Sequence, residues 1–336
     1  MTQPDSGIIV GCGSIGQRHI ENTAKLGIDE IIGVDKDQES REEANKAGST
    51  KVYAELEAAL SEHSPDFGIV AVPNQLHVPI AQKLAKADID LFIEKPLSHT
   101  QEGVTDLINE TERSDLVTLV GCNFRFHPGI RKLKELIQNE VIGTPLSVQI
   151  EAGSYLPDWH PHEDYREMYS VDPELGGGAI LDYIHELNYC RWLFGEVKEV
   201  TAMTSSRSHL NINVEDLAEL VLEMGDGTIC KIHVDYIQRP SSRSCKVIGG
   251  EGTLQWDLDR HTVREYQPDE DRWKTHTLPD WEFNEMYVDE LDHFLSCVES
   301  RGGTICGIEE GYKDLQVALG ALQSAETSKH INIDYI

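Results

Sequence analysis

The sequence is short of cations. Its 336 residues hold 29 Lys and Arg against 59 Asp and Glu, for a net charge of −30, and such a surface repels nucleic acid phosphates and anionic membranes. No apolar run reaches the roughly 18 residues of a membrane span. The opening MTQPDSG lacks the basic and apolar regions of a secretory signal. Cysteine pairing is also missing: Cys12, Cys122, Cys190, Cys230, Cys245, Cys297 and Cys306 are scattered, odd in number and without a C-x-x-C pair. They read as small apolar core residues in a reducing compartment. The expectation is a cytoplasmic protein with neither nucleic acid nor membrane as partner.

What is present suits a globular chain. Apolar residues make up 39% of the sequence, and the length allows two domains and a substantial core. The acids run along the whole chain and form no tail, so they read as a hydrated, carboxylate-rich surface. That surface suits a salt-rich, halophilic cytoplasm in which screening weakens self-repulsion.

Residues 7 to about 122 alternate apolar runs (GIIVGCG, EIIGVDKD, FGIVAVPN, IDLFIEKP, VTLVGCN) with amphipathic stretches such as 76–87 and 100–113. This alternation predicts crossover units around a parallel sheet. From about 145 the period becomes two: in TICKIHVDYI, Cys230, Ile232, Val234 and Tyr236 face one way, and Lys231, His233 and Asp235 the other. An open antiparallel sheet follows. The boundary implied by this change of texture puts one domain at 1–122 and another at 123–336.

GIIVGCGSIGQRH carries Gly11, Gly13 and Gly16 in G-x-G-x-x-G spacing between a strand and a helix. Gly11 allows the tight turn, Gly13 lets a pyrophosphate approach, and Gly16 permits close helix packing. The amides of Ser14, Ile15 and Gly16 then open the helix toward the phosphates. Asp35 ends the second strand, where an acid bonds a ribose hydroxyl. Asp35 favours NAD by repelling a 2'-phosphate; the adjacent Lys36 keeps NADP as the alternative. Pro73, Asn74 and His77 in AVPNQLH, and Glu94 and Lys95 in EKP, end two further strands and should border the nicotinamide.

Together the glycine loop, AVPNQLH, EKPLS, GGGAILDYIHELNYCRWLFG and SAETSKHINI resemble the Gfo/Idh/MocA oxidoreductases over nearly the whole chain. The resemblance implies an N-terminal Rossmann domain, doubly wound on a parallel sheet, and a C-terminal α/β domain with an open, mostly antiparallel sheet. It also implies hydride transfer between a nicotinamide and a sugar, sugar nucleotide or cyclitol, and homodimers or homotetramers built through the C-terminal sheet. Lys95 then projects into the site, before a cis Pro96. A lysine there can hydrogen-bond a hydroxyl and stabilise a developing alkoxide.

Asp182 and His185 lie three apart, which on one helix places them on the same side with Asn188. His185 is the acid/base candidate, its unperturbed pKa being near neutrality, and Asp182 orients it or binds a hydroxyl. The family's commoner spacing is four, so one residue fewer turns the helix position by about 100°. Gly176, Gly177 and Gly178 read as a flexible entry. Asn123 and Arg125 open the second domain and are candidate substrate contacts. SYLPDWHPHEDYREMYS adds Tyr155, Trp159 and His160, rings and hydrogen-bonding groups suited to a polyol; its His and acid spacing fits no standard zinc signature, so no metal is expected. This loop and DYIHELNY also resemble a subgroup associated with surface-glycan and nonulosonic acid pathways.

Two other functions fit the same motifs, an NAD-dependent glycoside hydrolase and a dinucleotide-sensing regulator. A hydrolase would turn over with no net absorbance change at 340 nm. A sensor has no use for the Lys95 and His185 pair. The charge count yields its own prediction: the melting temperature should rise between low and molar KCl, and a flat or falling trend in a thermal scan would refute the halophilic reading.

Overall fold

Strands buried on both faces read as unbroken apolar runs, and the first part of the chain is built from them. The computed structural model describes residues 4–159, 161–162 and 164–335. In it β1 (Ser6–Val10), β2 (Glu30–Val34), β3 (Lys51–Tyr53), β4 (Phe67–Val70), β5 (Asp90–Glu94) and β6 (Thr118–Gly121) form a parallel sheet in the order β3-β2-β1-β4-β5-β6. Helices α1 (Ser14–Lys25), α2 (Gln38–Ala47), α3 (Leu56–Glu62), α4 (His77–Ala85) and α5 (Val104–Arg113) supply the crossovers. Ile8, Ile9, Ile69, Val70, Phe92 and Ile93 are wholly buried. The strand order reverses between β1 and β4, which opens a crevice beyond their carboxyl ends. Every strand-end motif read from the sequence lies at that edge of the sheet.

The next stretch changes period and architecture together. It comprises α6 (Pro128–Gln138), β7 (Pro145–Gly153), α7 (Ala179–Asp182), α8 (Ile184–Phe194), β8 (Val197–Ser205), β9 (Leu217–Met224), β10 (Ile229–Asp235), β11 (Ser242–Gly249), β12 (Thr253–Asp257), β13 (Thr262–Gln267) and β14 (Arg272–Thr277). With β15 (Ile331–Asn332) the strands order as β14-β13-β12-β11-β7-β10-β9-β8-β15 among the described residues. Only the β7–β10 pairing in this order is parallel. Cys230, Ile232, Val234 and Tyr236 are buried, as the alternation predicts. Asp235 departs from it: its carboxylate accepts from the amides of Ile237 and Gln238 and is drawn inward. Hydrogen bonds donated to Asp235 and Glu219, against the cost of burial, push the His233 imidazole up to about 9, making it a cation on the open face.

The chain divides into two units, residues up to Asn123 with Phe283–Tyr312, and Phe124–Glu282 with Lys313–Ile336. Residues 283–312 thus group with the first unit. The cause is α9 (Glu285–Ser300), whose Leu291, Phe294, Leu295 and Val298 join the core around Phe67 and Phe92. Phe294 meets Phe67 and Phe92 edge-on at 6.0 and 5.7 Å, a geometry that aromatic quadrupoles favour. All seven cysteines are buried free thiols, and no helix among the described residues is long and apolar enough to cross a membrane.

A buried polar chain fastens the second unit. Arg125 Nε donates to Asn188 Oδ1 at 2.8 Å, Asn188 Nδ2 donates to Asp314 in α10 (Ile308–Thr327), and Arg191 bridges Asp314 and Glu196. Arg191 and Asp314 are both about 2% exposed at the side chain. Removing one charge from such a pair strands the other in low dielectric, at a cost of about 3–5 kcal/mol. Asp314→Asn should therefore lower stability by that order in a chemical-denaturation midpoint, whereas the paired Arg191→Met, Asp314→Leu variant should lose far less.

Candidate active site

The glycine loop is shaped by close approaches. Gly11 adopts φ +93°, and a Cβ there would lie 2.3 Å from the Ala71 carbonyl oxygen; one at Gly16 would lie 1.9 Å from that of Gly11. Neither position tolerates a side chain. A Cβ at Gly13 would meet nothing within 4 Å, leaving room at the start of α1, which has no side-chain cap and no acid in its first turn. Free amides with space before them fit a pyrophosphate. Asp35 fits the ribose role: its carboxylate accepts from Cys12 N at 2.8 Å and Asp37 N at 2.9 Å, which fixes its direction and leaves acceptor capacity on both oxygens. The residues present thus fit NAD. Lys36 is exposed, and its carbonyl, with that of Asp35, is held by Arg41.

The turns after β4 and β5 are locked to one another. The buried His77 ring has Nδ1 2.7 Å from Pro96 O and Nε2 2.7 Å from Val72 O. Burial pushes this imidazole down and the two carbonyls push it up; the ring lies between the two turns. Pro73 is exposed and Asn74 buried at the start of the short Asn74–Leu76 turn of helix. Lys95–Pro96 is cis, as the resemblance implies, and the Lys95 side chain is half-buried. Glu94 is buried against His19 of α1, 2.7 Å from Nε2. Burial alone would raise the Glu94 carboxyl; the His19 bond and charge, with Lys95, hold it below the usual carboxylate range.

Sequence reading missed two groups here, His19 and Tyr287. Tyr287 of α9 lies under the Arg18 guanidinium at 4.5 Å; burial pushes its hydroxyl up and the Glu94 charge adds to this, with Arg18 and an Asn123 hydrogen bond opposing. Asn123 is buried in that same group. A histidine six residues into a helix, or a tyrosine more than 150 residues downstream, carries no local signal of such a role.

In the second unit Asp182 and His185 do not share one helix. Tyr183, at φ −91° and ψ 28°, separates α7 from α8, so the three-residue spacing does not set their relation. Asp182 accepts from Tyr169 OH at 3.1 Å and Tyr236 OH at 2.5 Å; burial and the Asp182 charge hold the Tyr236 phenol well above its ordinary range. His185 is buried beside the Phe124 ring, centroids 5.2 Å apart, and Arg243 covers that ring at 4.0 Å while pairing with Glu186. Asn188 and Arg125 belong to the buried chain described above. The glycine entry is closely packed: Gly178 has φ +120°, and a Cβ on Gly177 would lie 2.5 Å from Ser170 O.

The aromatic loop divides. Trp159 donates to Ser154 Oγ at 2.6 Å and packs edge-on against Tyr236 at 5.4 Å, which brings it to the Asp182 group. Tyr155 turns instead to His209, 2.7 Å from its hydroxyl, under the Arg239 guanidinium. His160 lies outside the described residues.

Two family models match the chain, one for the oxidoreductase family's NAD-binding Rossmann fold at residues 7–122 and one for the GFO/IDH/MocA C-terminal domain at 130–255. Myo-inositol 2-dehydrogenase of Thermotoga maritima is 27% identical over 98% of each chain. D-apiose dehydrogenase of Paraburkholderia graminis is 25% identical over 97% of this chain and 89% of its own. Among solved structures, levoglucosan dehydrogenase in complex with NADH superposes with a TM-score of 0.89 at 18% identity, covering 98% of this chain and 99% of that one. Fold, cofactor cradle and paired domain matches agree: the chain belongs to the Gfo/Idh/MocA family and is an NAD-binding oxidoreductase.

Proposed function

We propose that this oxidoreductase moves hydride between NAD and a hydroxyl-bearing or keto carbon of a sugar-like or cyclitol substrate. Bound beyond β1 and β4, NAD supplies the hydride acceptor or donor. The observation that carries the reading is the Lys95 turn. It sits at the carboxyl end of β5, anchored through Glu94 and His19 to the helix that follows the glycine loop, and a cation there opposes charge developing on an alcohol oxygen. His185 is assigned the proton and Asp182 a substrate hydroxyl, with Trp159 as an apolar wall. The names of the relatives, which are inositol and sugar dehydrogenases, support the substrate class.

The reading extends to assembly. On the open face of the large sheet Met203 is 75% exposed, Val221 47% and Ile229 44%, an apolar set among charged neighbours that suits an isologous contact with a second copy. Met203→Glu with Val221→Glu should shift the sedimentation coefficient to that of a smaller species; an unchanged value would remove this face from the assembly. For the chemistry, Lys95→Ala should lower kcat at least a hundredfold across a panel of cyclitols and aldoses, while NADH binding by fluorescence titration stays within about threefold. Near-normal turnover would take Lys95 out of the mechanism.

A further inference from the structure

The four-residue helix α7 ends on Asp182 and is too short to hold itself, since one turn makes hardly any internal hydrogen bonds. Its support comes from the dipeptide Glu215-Asp216, just before β9. At the near end, Ala179 N donates to Glu215 O at 3.2 Å and Ile180 N to Glu215 Oε1 at 3.0 Å. At the far end, Tyr236 N donates to Asp216 O at 2.8 Å, and the Tyr236 hydroxyl holds Asp182. Gly178 completes the fit: a Cβ there would lie 2.5 Å from Glu215 Oε1. Glycine at 178 is therefore what lets the Glu215 carboxyl reach the first amides of the turn.

We propose that Glu215 is a positioning residue for the reaction, its carboxyl fastening the turn that presents Asp182. This rests on the reading of Asp182 as a substrate contact.

The charges around Glu215 give the brace a pH dependence. Asp182 faces it from α7, Asp216 from its own segment, and the Tyr236 phenol from the end of β10, with Tyr169 beyond. Burial pushes the Glu215 carboxyl up to about 7; Asp182 and Asp216 add to this, and the Ile180 amide opposes it. A carboxyl raised above its unfolded value favours the folded turn when protonated, so that support is fully present at low pH and fades as pH climbs from the unfolded value, near 4.5, through about 7. Glutamine mimics the protonated form and keeps an oxygen for the Ile180 amide.

The test compares wild type, Glu215→Gln, Glu215→Ala and Gly178→Ala by hydrogen exchange of the 177–186 segment and by steady-state kinetics on the cyclitol and aldose panel. In Glu215→Ala and Gly178→Ala, exchange of the segment should quicken at least tenfold while strand β10 stays protected, and kcat/KM should fall at least tenfold with NADH affinity within twofold. Glu215→Gln should restore both, and its protection should overtake that of wild type between pH 6 and pH 8. Unchanged exchange in Glu215→Ala, or Gln failing to rescue what Ala loses, overturns the proposal. Should wild type turn over none of the panel, the substrate reading fails and with it the functional half of this inference; the exchange data still decide whether Glu215 holds the turn.

Discussion

The bond between Glu94 and His19 ties together two parts that sequence motifs describe separately. His19 belongs to the helix that opens at the glycine loop, and Glu94 ends the strand that delivers Lys95. A buried hydrogen bond to a charged group contributes about 1.5–3 kcal/mol, enough to hold a strand end against thermal drift. His77 adds a second contact, its ring lying between the Val72 and Pro96 carbonyls. The lysine turn is thus flanked on both sides by imidazoles, and a long side chain that is otherwise rich in rotamers starts from a fixed base. Preorganisation of this kind matters because a cation stabilises an alkoxide only when it need not be moved there.

The second unit meets the same need with different chemistry. Asp182 is held by two phenols and His185 packs against an aromatic ring beneath Arg243. Two phenol donors set the carboxylate's direction yet use only part of its acceptor capacity. The break at Tyr183 puts each of the two residues on its own helix.

The parallel sheet was legible because doubly buried strands announce themselves as apolar runs, and the glycine loop because Gly11 and Gly16 answer to steric limits that no other residue meets. Alternation in β10 likewise exposed the open sheet. What escaped was non-local. Strand β3 has three residues and is partly exposed, so it shows no run. Helix α9 reads as any amphipathic helix, and nothing in its own residues tells that Phe294 packs on Phe67 and Phe92. Asp182 and His185 stand out in the sequence as candidates, whereas Tyr169, Tyr236 and Glu215 do not. Their value lies in what they touch, and their own surroundings in sequence are an irregular loop and two ordinary strand ends.

The distribution of carboxylates shows why composition alone misleads about the interior. A net charge of −30 describes the surface, but several acids that shape this protein are inside, and each is matched by a specific donor. Glu94 has an imidazole, Asp314 a guanidinium and an amide, Asp182 two phenols, and Glu215 the Ile180 backbone amide. The last is the weakest match, because an amide dipole compensates a buried charge less than a cation does. Burial raises the carboxyls of both Asp314 and Glu215, and with an amide dipole against it the latter is pushed up to about 7. In an acid-rich chain, an interior carboxyl answered by a backbone amide thus sits behind Asp182.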